Sequence, residues 1–164
     1  CACEWSLYRH AATTACPITA PLPPNDTCIQ GQAASFALVN DIPSAGMTIG
    51  AINDAPAVTC GDNATGPDVY YNYTAVLNGQ TTFKLCPTAP NPPGSSQYDA
   101  IIGVHTECDA TEANKLDCDD DGCGSMGGPS ILILANLTAA TSYVVRVDGW
   151  GGGIGQFSVV VTQP

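Results

Sequence analysis

The residues best suited to chemistry lie in the stretch KLDCDDDGCGSMGG, which covers residues 115–128. Within this stretch Asp117, Asp119 and Asp121 alternate and Gly122 follows, which matches the first half of a calcium-binding loop. In such a loop the alternate carboxylates converge on one cation and the glycine allows a sharp turn. The pattern therefore predicts a Ca²⁺ site.

The second half of the stretch departs from that pattern. A calcium loop of this type ends in a glutamate that supplies two oxygens, whereas the corresponding residue here is Gly128. If Ca²⁺ binds here, backbone carbonyls, waters or distant carboxylates must complete the shell, and Asp99 and Asp109 are the candidate carboxylates. Seven of the 15 acidic residues lie in 107–121, and a divalent cation would relieve their mutual repulsion. The alternative is a solvated acidic hairpin tip without an ion.

The nine cysteines favour an oxidising, extracellular compartment, because cytosolic thiols stay reduced. Zinc is disfavoured because the chain has only two histidines, His10 and His105, and no pair of C-x2-C knuckles. Acidic neighbours disfavour a reactive thiolate at Cys118 or Cys123, so structural disulfides are expected there. Spacing alone leaves the connectivity open. The pairs that we predict are Cys28 with Cys60, Cys108 with Cys118, and Cys86 with Cys123.

The other three cysteines, Cys1, Cys3 and Cys16, lie in the first part of the chain. Because the total is odd, at least one cysteine has no partner within the chain. That thiol is expected to be free, lipidated or bonded to another molecule.

Four N-x-T sequons are consistent with a secreted, glycosylated surface, although a threonine-rich β protein would also contain some by chance. They lie at Asn25, Asn63, Asn72 and Asn136. The sequence contains no apolar run long enough to span a membrane and no signal peptide, so we expect it to begin at or after a processing site.

The net charge of −11 excludes two classes of partner. Only four basic residues are present and they form no cluster, so phosphates of nucleic acid or of an anionic membrane would not be neutralised. The length fits one domain with a tail.

The chain divides into a tail, residues 1–24, and a domain, residues 25–164. In the tail four prolines favour an extended exit, and Trp5 and Leu7 alternate with polar residues as in a short strand. Such a segment is too small to form a core alone and needs another surface to pack on.

The domain shows short runs of alternating or continuous apolar residues between turn-forming clusters, which predicts strands and no long helix. An all-β, antiparallel two-sheet sandwich that is rich in disulfides accounts for this pattern. The continuously apolar run SILILANL is typical of a central strand. The predicted strands span residues 32–39, 45–52, 68–75, 80–86, 100–106, 131–137, 142–149 and 155–162.

Six segments carry a resemblance to a known family. They are PNDTC (24–28), GPDVYYNYTA (66–75), GQTTFKLC (79–86), QYDAIIGVHTEC (97–108), KLDCDDDGCG (115–124) and SYVVRVDGWGGGIGQFSVVVTQP (142–164). In this order they resemble the bacterial pre-peptidase C-terminal (PPC) domains. Asp68, Tyr70 and Tyr71 stand where that family usually has Asp, Trp and Tyr, and Tyr98 and Asp99 where it usually has Phe and Asp.

The resemblance implies a jelly-roll-like β-sandwich without catalytic activity. Domains of this family usually follow secreted peptidases or belong to surface and adhesive proteins, and some bind calcium or matrix. This chain departs from the commonest setting, because a cysteine-bearing tail precedes the sandwich instead of a catalytic domain.

Catalytic motifs and ligand-binding surfaces are sparse in the sequence. Neither His10 nor His105 belongs to a hydrolase motif, and the scattered aspartates single out no glycosidase pair, so we expect no enzyme. Trp150, flanked by glycines, either stacks on a sugar together with Tyr70 and Tyr73 or belongs to a tight hairpin. The hairpin is the favoured interpretation.

Three functions remain. The first is an extracellular structural subunit that polymerises with copies of itself into a filament through its tail and disulfides. The second is a Ca²⁺-dependent module that binds carbohydrate or extracellular matrix. The third is a surface lipoprotein anchored through Cys1.

Overall fold

The computed structural model describes residues 20–56, 58–60, 66–86, 98–124 and 128–164. The residues described form two packed sheets with little helix, which confirms the predicted all-β sandwich. The helical elements are α1 (Cys28–Gly31) and a single 3-10 turn (Ala34–Phe36). The strands are β1 (Ala37–Leu38), β2 (Ser44–Met47), β3 (Val69–Thr74), β4 (Gly79–Lys84), β5 (Ala100–His105), β6 (Lys115–Asp119), β7 (Ile131–Leu137), β8 (Ser142–Gly149) and β9 (Gln156–Thr162).

The strands are ordered β1-β3-β8-β5-β6 in a five-stranded sheet and β2-β9-β4-β7 in a four-stranded sheet. Neighbouring strands are antiparallel except for β1, which pairs in parallel with β3 over two residues. The strictly antiparallel arrangement that the sequence predicted is therefore correct except at this short edge.

The main core lies between the two sheets. It is built from the aliphatic and aromatic residues that alternate along the strands, such as Val145 and Val147 of β8 and Phe83 of β4. Tyr73 and Phe83 meet edge to face across the two sheets, with ring centroids 5.3 Å apart. Burying each such side chain stabilises the fold by about 1.5 to 3 kcal/mol.

The five-stranded sheet is buried on its outer face as well. Residues 51–56 and 58–60, hereafter the cover segment, pack on this face together with α1 and the loop after β5. In TSYVVRVDGW the side chains of Tyr143, Val145 and Val147 alternate with those of Val144, Arg146 and Asp148, which predicts that one of the two faces meets water. This prediction is wrong, because Val144, Arg146 and Asp148 are buried as well.

Three disulfides hold the covering layer and the sheet edges. They join Cys28 to Cys108, Cys60 to Cys118, and Cys86 to Cys123. The last pair is the one expected, whereas the other two predicted pairs, Cys28 with Cys60 and Cys108 with Cys118, are wrong. The spacing could not reveal that α1 attaches to the loop after β5 whereas the cover segment attaches to β6.

Three other expectations also need correction. The predicted strand 32–39 is mostly helical turn, because Thr27 and Gln30 form a capping box that starts α1 just before it. β6 was not predicted, since its acidic sequence is typical of a loop. β7, taken for a central strand, pairs only with β4 among the described residues and exposes Ile133.

Neither helical element that the structure describes is long and apolar enough to cross a membrane.

Candidate functional site

An apolar groove runs beside β2 at the edge of the four-stranded sheet. One wall is the segment Pro21–Pro24, the other is Ala45–Met47 of β2, and the volume is about 460 Å³. We call it the β2 groove. β9 is the only strand that pairs with β2 in the part of the chain that the structure describes, so the outer backbone of β2 faces this groove.

The floor of the β2 groove is a cluster of aromatic rings. Phe36 and Phe157 both meet Tyr71 edge to face, with ring centroids 6.5 and 6.2 Å from the Tyr71 ring. Burial raises the pKa of Tyr71 to about 12, so its hydroxyl stays protonated at all physiological pH values. Above these rings β2 carries Gly46, where a Cβ would collide with the Tyr71 hydroxyl and the Phe157 ring. Because Gly46 has no side chain, nothing at this position of β2 occupies the space over the Tyr71 and Phe157 rings.

A charged network lies beneath the cover segment on the opposite sheet. The Arg146 guanidinium lies between two carboxylates, with Nε 2.9 Å from Asp68 and Nη2 2.8 Å from Asp148. Nη1 donates to the Pro56 carbonyl of the cover segment, and the Tyr70 hydroxyl donates to Asp68. The side chains of Arg146, Asp68, Asp148 and Tyr70 are buried, whereas Pro56 is exposed and contributes its backbone.

One arginine does not neutralise two buried carboxylates. Burial raises the pKa of Asp68 to about 6 and that of Asp148 to about 7, and in both cases the nearby Arg146 charge opposes the shift. The sequence alone does not predict this network. Its one signal is the alternation of β8, which places Arg146 and Asp148 on one face but does not show that this face is covered.

His105 is fully buried on β5, and its Nδ1 lies 3.0 Å from the Asn114 Oδ1. Burial lowers the pKa of this histidine, so the neutral ring is favoured. This setting is that of a packing residue. His10 lies outside the described residues.

Three carboxylates converge near the start of β5. Asp99, Asp120 and Asp121 each offer an oxygen within 4.8 Å of the others. Burial, followed by repulsion from Asp121, raises the pKa of Asp99. The Oδ1 atom of Asp99 is shielded from solvent and accepts no hydrogen bond from the described residues. These positions suit a hard cation that prefers oxygen ligands.

Only Asp99 and Asp121 of the predicted calcium ligands belong to this cluster. Asp119 instead accepts hydrogen bonds from the backbone of Gly122 and Ile131, each at 2.8 Å. Asp117 accepts one from Cys118, and Asp109 accepts one from Asn114. Residues 115–119 form strand β6 rather than a loop, and the end of this strand presents Asp120 and Asp121. A role of Asp109, Asp117 and Asp119 as ligands stays a prediction.

Trp150 is 47% exposed at the turn between β8 and β9, and its backbone N–H donates to the Asp99 carbonyl at 3.0 Å. The indole thus belongs to the same end of the sandwich as the acidic cluster. The turn continues through Gly151 and Gly152, both with positive φ, as the hairpin interpretation expects. Tyr70 and Tyr73 are buried, so the proposed platform of three aromatic rings is wrong.

The sequons differ in accessibility. Asn25 is 5% exposed and its amide donates to the Tyr70 carbonyl, so the structure contradicts a glycan there. Asn72 is half-buried and its amide donates to the carbonyls of Gly31 and Ala33, which argues against a glycan at that position too. Asn136 is exposed on β7. Asn63 lies outside the described residues.

The tail residues Cys1, Cys3, Trp5, Leu7 and Cys16 also lie outside the described residues, so their expected roles in assembly remain predictions. The same holds for the lipid anchor at Cys1.

No protein-family model matches the chain, and a comparison with curated proteins finds no match either.

Proposed function

We propose that the protein is a non-enzymatic extracellular structural subunit that polymerises into a filament by strand addition. The observation that carries this proposal is the outer edge of β2, which has no strand paired to it among the described residues and lies beside an apolar groove of about 460 Å³. An unpaired edge strand is a template for a strand of another chain, and backbone hydrogen bonds with side-chain pockets then give affinity and specificity.

The extracellular location is supported by three disulfides within one domain. They use six of the nine cysteines, and the other three, Cys1, Cys3 and Cys16, all lie in the tail. Because three is odd, at least one tail cysteine has no partner within the chain. A disulfide from this cysteine to another subunit would lock a joint that strand addition has formed.

The relationship to PPC domains remains a proposal alongside this function. It is supported by the six ordered segments and by the two-sheet architecture. In that setting the sandwich would serve assembly or adhesion, as the family's non-catalytic role implies.

The proposal is tested by electron microscopy of native, non-reduced protein over a range of concentrations. We expect regular filaments whose repeat corresponds to one sandwich, and a ladder of covalent oligomers on a non-reducing gel. Discrete monomers at every concentration would contradict the proposal.

A second function is favoured by the acidic cluster with Trp150 beside it: Ca²⁺-dependent binding of a glycan or matrix component. Asp99, Asp120 and Asp121 would bind the ion, and the exposed indole would stack on a sugar ring. A glycan array probed with and without Ca²⁺ tests this function, and an absence of binding in both conditions would contradict it.

A further inference from the structure

We propose that the β2 groove receives residues 4–8, EWSLY, from the tail of a second copy, with Trp5 and Leu7 inserted over the aromatic floor. This inference rests on the proposed function and specifies its joint: which residues enter, at which edge, and from which molecule.

The groove matches an extended segment of this length. β2 contributes four residues to the edge, and a segment of five residues can pair along all of them. β2 pairs only with β9 among the described residues, so an added strand would extend the sheet at its outer edge.

The side-chain pattern of the segment also fits. Successive residues of a strand point to opposite faces, so Trp5 and Leu7 share one face while Glu4, Ser6 and Tyr8 share the other. A strand added to β2 places one of its faces over Phe36 and Phe157, which are partly exposed. The apolar pair belongs on that face, and the polar residues then meet water.

A second copy is favoured as donor over the same chain. Residues 20–24 run along the groove, and Ala20 and Pro21 pack against Gly50. For Trp5 of the same chain to enter this groove, the chain must reverse direction within residues 9–19. That stretch, RHAATTACPIT, contains no Gly, Asn or Asp to supply a positive φ in a tight turn, and Pro17 is its one turn-favouring residue.

The first test is a photo-crosslinking experiment on the full chain. A benzophenone amino acid replaces Trp5, and equal amounts of ¹⁴N- and ¹⁵N-labelled protein are mixed before assembly and irradiation. We expect crosslinks to residues 36, 45–47 and 157, with half of the linked pairs joining a light to a heavy chain. Crosslinks within single chains only, or to another surface, would overturn the inference.

The second test uses paired substitutions on the two edges of the same sheet. Met47→Arg places a charge on the wall of the groove, and Ile133→Arg places the same charge on β7, where the native side chains are similarly exposed at 45% and 53%. We expect Met47→Arg to raise the concentration needed for assembly at least tenfold and Ile133→Arg to leave it within twofold. Trp5→Ala should reproduce the effect of Met47→Arg without altering the sandwich.

The outcomes separate this inference from the proposed function. Filaments that persist in Met47→Arg and in Trp5→Ala would overturn the inference and leave the filament proposal standing. Wild-type protein that never assembles and yields no crosslink between chains would overturn both.

Discussion

The Nε atom of Arg146 lies 2.9 Å from Oδ2 of Asp68, and both side chains are sealed beneath the cover segment. The same guanidinium holds Asp148 and the backbone of Pro56. One cation thus connects β8 with Asp68, directly before β3, and with the layer that covers the sheet. This contact adds a buried polar network to the apolar clusters of the outer face.

Removing the cation should destabilise the protein strongly. Arg146→Met leaves two buried carboxylates without a partner, and we expect the free energy of unfolding to fall by about 3 to 5 kcal/mol. Urea denaturation followed by circular dichroism measures the change. Lys84→Met, an exposed position on β4, is the matched control and should stay within about 0.5 kcal/mol of the wild type. An equal loss in both variants would contradict a special role for Arg146.

Stability should also decrease as the pH rises through neutrality. The pKa values of Asp68 and Asp148 are raised from 3.8 to about 6 and about 7 on folding, so the folded protein binds more protons than the unfolded chain in this range. Their contribution is fully present below the unfolded value and is lost as the pH rises through the folded values. His105 acts in the opposite sense because its folded pKa is lowered from 6.5, and that contribution is complete above 6.5.

Above pH 6.5 the change in the free energy of unfolding with pH therefore comes mainly from the two carboxylates. Between pH 6.5 and 8 we expect the wild-type free energy of unfolding to fall by about 1 kcal/mol. In Asp148→Asn most of this slope should disappear. Urea titrations at several pH values measure both slopes, and a flat or rising wild-type profile would show that the carboxylates are already ionised at low pH.

The Cys60–Cys118 disulfide should hold the cover segment in place. Replacing both cysteines by alanine releases a crosslink over 58 residues, which costs about 4 kcal/mol in the chain-entropy account. We also expect a local effect, since Val58 and Ile101 pack around this bridge. Hydrogen exchange followed by mass spectrometry should show faster exchange in residues 51–60.

A second pair of substitutions provides the control. Removal of Cys86 and Cys123 breaks a bridge over 37 residues and should cost a similar free energy without exposing the cover segment. Equal acceleration of exchange in the cover segment of both variants would contradict the local role. Peptide mapping of the native protein checks the connectivity itself.

The strand pattern was predictable from the sequence where one face of a strand is buried by the opposite sheet. Phe83 and Leu85 in β4 and Val145 and Val147 in β8 alternate with other residues, and this period of two identified their inward face. β6 escaped prediction because its Asp117 and Asp119 look like loop residues, and only pairing with β5 makes the segment a strand.

The candidate sites depend on contacts between segments that are distant in the sequence. The alternation of apolar and polar residues along a strand gives no information about such contacts. Phe36, Tyr71 and Phe157 form the groove floor although about 120 residues separate the first from the last. The burial of Arg146 and Asp148 could not be predicted because nothing local in the sequence indicates that the cover segment folds over this face. The sequence identified Asp99 and Asp121, yet it could not show that Asp120, beyond the end of β6, replaces Asp119 in the cluster.

Glycosylation should discriminate between Asn136 and Asn25. When the chain is produced in a host that glycosylates N-x-T sequons, glycopeptide mass spectrometry should find a glycan at Asn136 and none at Asn25 in the folded protein. Asn25→Ala should lower the free energy of unfolding by about 1 to 3 kcal/mol, because the buried Tyr70 carbonyl loses its donor at 2.8 Å. Asn136→Gln should be neutral. Folded protein with a glycan on every Asn25 would contradict the burial of this side chain.

Ca²⁺ binding should depend on Asp99 and Asp121 and be independent of Asp117 and Asp109. The first two lie in the cluster with Asp120, where an ion would relieve the repulsion that helps raise the pKa of Asp99. We expect millimolar Ca²⁺ to raise the melting temperature of the wild type and of the variants Asp117→Asn and Asp109→Asn. In Asp99→Asn and Asp121→Asn this increase should be lost, and a chelator should have no effect. If Asp117→Asn abolishes the increase and Asp99→Asn does not, the ion binds at the strand β6 aspartates and the cluster is not the site.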